Sequence, residues 1–305
     1  MACGSPLRMC EPSRRSSQQA VADRSVRQAG RIFTKTLTNS LTLDQMLNQI
    51  RKRFHPLWRL RKFAWYRSLQ DAVDPDVAIR MNGLQVYLKL LRDLSLILPH
   101  QGKEITTKKA FSLLLLQHSV DVFLDVGANV GSFSWLAKEH RVKDIFMFEP
   151  DRTNCRLLMR TLRSNRLEHM FVVPFAASAS AGVAVFYPDR ASGATGSLVN
   201  DSLNSHSLHA HYCMAKSLVV PALPLNLFTD FCLGKRVVIK IDVEGAEASV
   251  FAGAEDLIKQ TLPWIIVECF EPSKLVVLQQ LGYTTQSLEE NNNYLLKPPA
   301  FVTPG

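Results

Sequence analysis

Short β-branched runs that alternate with helical stretches of about 10 to 15 residues constrain this chain more than any other feature, because strand–helix–strand repetition builds a mainly parallel sheet with helices on both faces. Strands are expected at residues 122–126, 145–149, 170–173, 237–242 and 264–269. Helices are expected between and after them, at 131–139, 153–164, 247–259 and 272–281. Between 173 and 237 the order relaxes into a strand at 183–187, a Gly/Ser/His-rich loop and a further strand near 218–221. The expected class is therefore α/β, with a doubly wound, mainly parallel sheet.

The first part of the chain does not share this pattern. Residues 1–67 hold 14 Lys or Arg against Glu11, Asp23 and Asp44, a net of +11, whereas the remainder is close to neutral at −2. Residues 1–30, rich in Ser, Arg and Gln, lack the apolar surface to offset ordering entropy, so disorder is expected there. From Leu41 to Gln70 apolar residues recur at helical spacing among bases, which predicts one or two basic amphipathic helices broken near Pro56. The turn-rich DAVDPDV string at 71–77 sets the expected boundary between a basic N-terminal arm, 1–75, and a catalytic domain, 76–305. Such an arm is suited to peripheral contact with an anionic membrane surface, but the near-neutral remainder gives no electrostatic case for a nucleic-acid partner. No apolar run approaches the roughly 18 residues that a membrane span needs, and no secretory leader is legible. The six cysteines are scattered without a C-x-x-C pair. A reduced, cytoplasmic setting is expected.

The strand ends carry the chemistry. The first strand closes in FLDVGANVGSFSWLA, 123–137, where an acid and a Gly-x-x-x-Gly turn precede a helix. Gly127 and Gly131 let backbone approach a ligand, but Asn129 stands where a dinucleotide site has its second glycine. A cofactor without a pyrophosphate fits better, and its positive amino and sulfonium groups would suit Asp125. Glu149 ends the next strand about twenty residues on, where an acid can accept both hydrogens of a ribose diol. Small residues at Ala176 and Ala177 would let an adenine lie flat. The fourth strand runs into VVIKIDVEGAE, placing Lys240, Asp242, Glu244 and Glu247 at the carboxyl end of a central strand, where open α/β sheets bind ligands.

These strings, in this order and joined by IVE at 266–268 and LGY at 281–283, resemble the FkbM family of methyltransferases over about residues 113–297. The resemblance implies a Rossmann-like methyltransferase sheet and S-adenosylmethionine as cofactor. It further implies transfer of a methyl group to a hydroxyl of a sugar, glycan or related secondary metabolite. It would assign cofactor binding to Asp125, Gly127, Ala128, Asn129, Gly131, Glu149 and Ala177, and set Asp242 and Glu244 against the transferring methyl. Leu225-Asn226 departs from the Leu-Asp that the family usually has before the fourth strand. A hydroxyl acceptor needs a base, for which Asp242 is the first candidate, with Glu244 and Glu268 next. A Mg²⁺ ion held by such carboxylates would instead lower the hydroxyl pKa, and the sequence leaves both routes open. Two alternatives remain: RNA 2′-O-methylation, supported thinly by Lys240, Asp242 and Glu268 with the basic arm, and a non-catalytic nucleoside-binding module. His206, His209 and His211 have ligand-like spacing but sit in a Ser/Asn-rich setting that favours a polar loop. Ser197, in the GATGSL stretch, could border the substrate pocket, but an exposed loop is the default expectation.

Overall fold

The computed structural model describes residues 63–97, 104–188, 196–198, 217–290 and 292–299. All of them belong to a compact unit that runs from Leu57 to Gly305. The expected disorder of 1–30, the expected helices before Phe63 and the His206–His211 loop lie outside the described residues.

In chain order the helices are α1 (Ala64–Val73), α2 (Leu94–Ile97), α3 (Ile105–His118), α4 (Ser132–Glu139), α5 (Arg152–Asn165), α6 (Thr229–Cys232), α7 (Glu247–Gly253), α8 (Glu255–Thr261) and α9 (Val276–Gln280). The strands are β1 (Asp76–Met81), β2 (Leu84–Lys89), β3 (Val122–Val126), β4 (Asp144–Phe148), β5 (Met170–Val173), β6 (Ala176–Ala177), β7 (Gly182–Phe186), β8 (Leu218–Leu223), β9 (Val237–Ile241), β10 (Trp264–Glu268), β11 (Thr284–Ser287) and β12 (Asn293–Lys297). Seven strands form the main sheet in the order β11-β12-β10-β9-β3-β4-β5. The five from β10 to β5 are mutually parallel, while β12 runs antiparallel to both β10 and β11. This is the expected doubly wound sheet, closed at one edge by an antiparallel pair.

The core strands are mostly apolar, as expected where both faces are covered, with Asp125 in β3 and Lys240 in β9 as buried exceptions. Alternate side chains leave β3 in opposite directions: Val122, Leu124 and Val126 join one cluster, and Phe123 joins the other with Phe111 of α3. The same alternation on β9 sends Val237, Ile239 and Ile241 to the first cluster and Val238 to the second. Asp125 and Lys240 therefore share the Phe123 and Val238 face, and they are register partners across the β3–β9 pair.

Five strands, β1, β2, β6, β11 and β12, fall outside the sequence expectations. β11, TTQS, is a polar strand at the sheet edge, and β12, NYLLK, lies between it and β10; neither shows the apolar alternation that would mark it. β1 and β2 form an antiparallel hairpin about Asn82 and Gly83, both at positive φ. The hairpin docks on α5, with Tyr87 N–H donating to Thr161 Oγ1 at 3.0 Å and Gln85 N–H to Asn165 Oδ1 at 2.9 Å. The expected linker at 71–77 contracts to Asp74 and Pro75, since α1 reaches Val73 and β1 starts at Asp76. The single helix expected at 247–259 is broken at Ala254. There Gly253 packs so tightly on β6's neighbour that a Cβ on it would lie 1.9 Å from the Ser178 carbonyl oxygen. Among the described residues no helix is long and apolar enough to cross a membrane.

Candidate functional site

The chain leaves β3 toward β4 on one side and returns to β9 on the other, so the two strands adjacent at the sheet centre have connections that part at their carboxyl ends. Ligands bind in such a crevice. Its floor is the turn after β3, where the N–H groups of Gly127 and Ala128 both donate to the Phe148 carbonyl at 3.0 Å. Gly127 has φ +82°, and a Cβ there would sit 1.9 Å from the Asp242 carbonyl oxygen. Asp242 N–H in turn donates to Val126 O at 3.0 Å. Only a glycine permits this crossing of two backbones.

Above the crossing lies a cleft that is open to solvent at its mouth. Gly127, Asn129, Glu149, Asp151 and Asn154 line one wall, Phe175 to Ala177 the base, and Asp242 to Glu244 the side toward β9. Gly196 and Leu198 complete the lining. Ser197 between them is buried, and its hydroxyl donates to the Glu244 carbonyl at 2.7 Å. The exposed loop expected for Ser197 is thus corrected, because a backbone acceptor in the β9 turn draws it inward.

Glu149 is 4% exposed. Its Oε2 accepts from Asn129 N–H at 2.6 Å and its Oε1 from Asp151 N–H at 2.8 Å. Asp151, not Glu149, caps α5, accepting from the Thr153 and Asn154 N–H groups. Glu149 is therefore left facing the cleft rather than serving the helix. Burial pushes its pKa up to about 7.

On the Phe123 and Val238 face, the carboxyl ends of β3, β9 and β10 gather charge. Lys240 is 1% exposed, its ammonium 3.1 Å from Asp242 Oδ2 and 4.9 Å from the Phe133 ring centroid. Asp242, Glu268 and Glu104, just ahead of α3, each bring a carboxylate oxygen within 4.8 Å of the others. Lys240 already sets a positive charge against this group, so the carboxylates have a counter-ion from the chain itself. Glu244, at φ +49°, lies beside Asp242 and Glu268; burial and those two like charges push its pKa well above the usual carboxylate range. Glu247 plays a different part: its Oε1 accepts from Gly245 N–H at 2.7 Å and its Oε2 meets Lys274 Nζ at 3.3 Å, which ties down the turn.

The structure thus brings Gly127, Asn129, Glu149, Ala177, Asp242 and Glu244 to one cleft. Asp125, Ala128, Gly131 and Glu268 are not among its lining residues. Asp125 is buried and accepts from Ser134 Oγ at 2.6 Å, and burial raises its pKa to about 6. Gly131, also at φ +82°, packs against the Trp135 indole. Asn154 and Asp151 are cleft residues that motif reasoning passed over; the N-cap pattern at Asp151 was their legible signal.

Asp125 and Glu149 hold protons in the fold up to about pH 6 and 7, against ordinary values of 3.8 and 4.5. Between those limits the native state binds more protons than the unfolded chain, so both groups make stability fall as pH rises through the window. The ligand-free Glu149→Gln variant should therefore melt above wild type at pH 8, with the two Tm values converging near pH 4. Equal differences at both pH values in thermal melts would show that the fold does not raise the Glu149 pKa.

Residues 125–293 match the family described as the methyltransferase FkbM domain. No curated protein matches the chain. Among solved structures it is similar to a methyltransferase FkbM from Methylobacillus flagellatus KT, with 19% identity and a TM-score of 0.41, covering 61% of this chain and 47% of that one. It is similar also to the Pyrococcus abyssi tRNA (uracil-54, C5)-methyltransferase in complex with S-adenosyl-L-homocysteine, with 11% identity and a TM-score of 0.38, covering 73% of this chain and 44% of that one. A third is M. jannaschii TYW2 in complex with AdoMet, with 11% identity and a TM-score of 0.38, covering 73% and 84% of the two chains. The chain spans about half the length of the first two.

Proposed function

Because this chain belongs to the FkbM methyltransferase family, we propose that its cleft binds S-adenosylmethionine and that the protein transfers the methyl group to a hydroxyl of a small-molecule or glycan acceptor. The observation that carries this is the crossing of Gly127 beneath Asp242 with Glu149 beside it, at the point where the sheet's connections part. The residues present fit the cofactor. A cradle that a single Cβ would fill admits close backbone approach. The Glu149 carboxylate, held by two N–H groups, keeps lone pairs for a ribose diol. Ala176 and Ala177, with Phe175, offer a flat apolar bed for an adenine ring.

When bound, the cofactor supplies an electrophilic methyl group on a good leaving group. The protein's part is then positioning and proton removal. Asp242 would take the proton of an acceptor hydroxyl that the cleft holds in position for attack on that methyl group. Lys240, 3.1 Å away, holds the Asp242 carboxylate in place. Glu244, which burial and its neighbours favour in the neutral form, is suited to donate a hydrogen bond to the acceptor rather than to take a proton.

The cofactor assignment is tested by calorimetry with S-adenosylhomocysteine. Glu149→Ala should weaken binding about 10- to 100-fold, the loss of one or two hydrogen bonds to a carboxylate. Unchanged affinity would remove Glu149 from the site, and NAD binding in place of S-adenosylhomocysteine would overturn the assignment.

A further inference from the structure

Arg92 lies outside the matched span of 125–293 and does not line the cleft. Its side chain is nonetheless buried, and it reaches into the wall of the cleft. The guanidinium donates through Nε and Nη2 to the fully buried Asp93 carboxylate, at 2.7 and 3.0 Å. The same Nη2 donates to Asn154 Oδ1 at 2.7 Å, 62 residues away in sequence. Asn154 Nδ2 donates onward to Asn129 Oδ1 at 3.3 Å, and Asn129 N–H to Glu149 Oε2 at 2.6 Å. Behind Arg92, the Asp74 carboxylate accepts from the N–H groups of Leu91 and Arg92, at 2.7 and 3.0 Å.

We propose that Arg92 is a positioning residue for the cofactor, acting through Asn154; this rests on the reading that the cleft binds S-adenosylmethionine. The physical reason is the ambiguity of an amide. Asn154 can present either its oxygen or its NH₂ group in a given direction, and the two orientations have nearly the same shape. A guanidinium has donors only, so Arg92 accepts contact with the oxygen alone. That choice turns the Asn154 NH₂ group toward Asn129, fixes the Asn129 amide in turn, and settles which polar atoms this wall offers a ligand. A side chain pre-set in one orientation saves the ligand the cost of ordering it. Arg92, which lies ahead of the family match, thereby becomes a support of the cofactor site.

Arg92 also neutralises the buried Asp93, so a loss of stability alone would not distinguish the two roles. Titration with S-adenosylhomocysteine does, with thermal melts run alongside. Asp93→Asn keeps the Arg92 to Asn154 bond and should lower Tm while leaving the dissociation constant near wild type. Arg92→Gln should weaken binding by about tenfold, the scale of one charge-assisted hydrogen bond. Arg92→Lys keeps a counter-charge for Asp93, which protects folding, but as a point donor it cannot serve Asp93 twice and Asn154 as well; it should fall between wild type and Arg92→Gln. In an Asn154→Ala background, Arg92→Gln should add nothing further. Binding by Arg92→Gln or Arg92→Lys as tight as by Asp93→Asn overturns the inference, as does full additivity with Asn154→Ala. A wild-type protein that binds no S-adenosylhomocysteine overturns the cofactor reading and this inference together, whereas wild-type binding with an unaffected Arg92→Gln overturns this one alone.

Discussion

Asp242→Asn should slow methyl transfer about 100- to 10,000-fold while leaving S-adenosylhomocysteine affinity within about twofold of wild type, the range that removal of a general base produces. The substitution keeps the shape of the side chain and most of its hydrogen bonding. Its backbone carbonyl, which closes on Gly127, is untouched, so the cleft floor stays in place. What is lost is the ability to accept a proton beside Lys240. Single-turnover measurements with labelled cofactor, on an acceptor first found by incubating the wild type with fractionated cell extract, read the chemical step directly. A chelator distinguishes proton abstraction from a metal route. Only the latter would lose wild-type activity on Mg²⁺ removal and regain it on resupply, with Glu104, Asp242 and Glu268 as the group to examine. Transfer at the wild-type rate by Asp242→Asn would make Asp242 a structural residue and pass the base role to Glu268, Glu244 being favoured in its neutral form.

The second large effect is expected at Gly127. Alanine there faces two penalties at once: a left-handed backbone at φ +82°, costing about 1 to 2 kcal/mol, and a methyl group directed at a carbonyl oxygen 1.9 Å away. Relief requires β3 and β9 to separate locally, against Asp242 N–H bonding to Val126 O. Overpacking of this kind costs about 1 to 3 kcal/mol more. The sum, about 2 to 5 kcal/mol, corresponds to a Tm lower by about 5 to 20 °C for a domain of this size, with S-adenosylhomocysteine binding abolished. A Gly131→Ala control also meets positive φ, but its added Cβ faces the Trp135 indole rather than backbone. It should fold and retain binding with a smaller loss. Equal Tm losses in the two variants would show that backbone strain alone, and not the crossing, sets the cost at Gly127.

The parts of the site that rest on local chemistry were legible from sequence. The turn after β3, the acid at the end of β4 and the charged end of β9 are each written in a few consecutive residues, and the parallel sheet brings them together. Asp125 was placed at the right strand end but not given its partner, because Ser134 reaches it from the first turn of α4 and only the packing of that helix shows it. Arg92 carried no signal at all. Its bond to Asn154 spans 62 residues, and neither residue belongs to a motif. The β1–β2 hairpin did carry one, Asn82-Gly83 between alternating runs, but the acidic, proline-containing stretch just ahead of it was taken for a linker. Strands β11 and β12 were hidden for the opposite reason: short strands without apolar alternation owe their existence to a neighbour, not to their own pattern.

Strands β6, β8 and β7 form a separate three-stranded sheet with its own small core of Ala176, Phe186 and Val220. Phe186, Pro188, Gly196 and Leu198 reach the cleft from this side, whereas Gly127, Asn129 and Glu149 reach it from the main sheet. The two walls are thus built on different hydrogen-bond ladders. Insertions or substitutions in the β7–β8 connection can reshape one wall without shifting the register of the strands that carry the other. Ser197 is the exception, since its bond to the Glu244 carbonyl couples that connection to the turn after β9, so a change there would be felt on both walls at once.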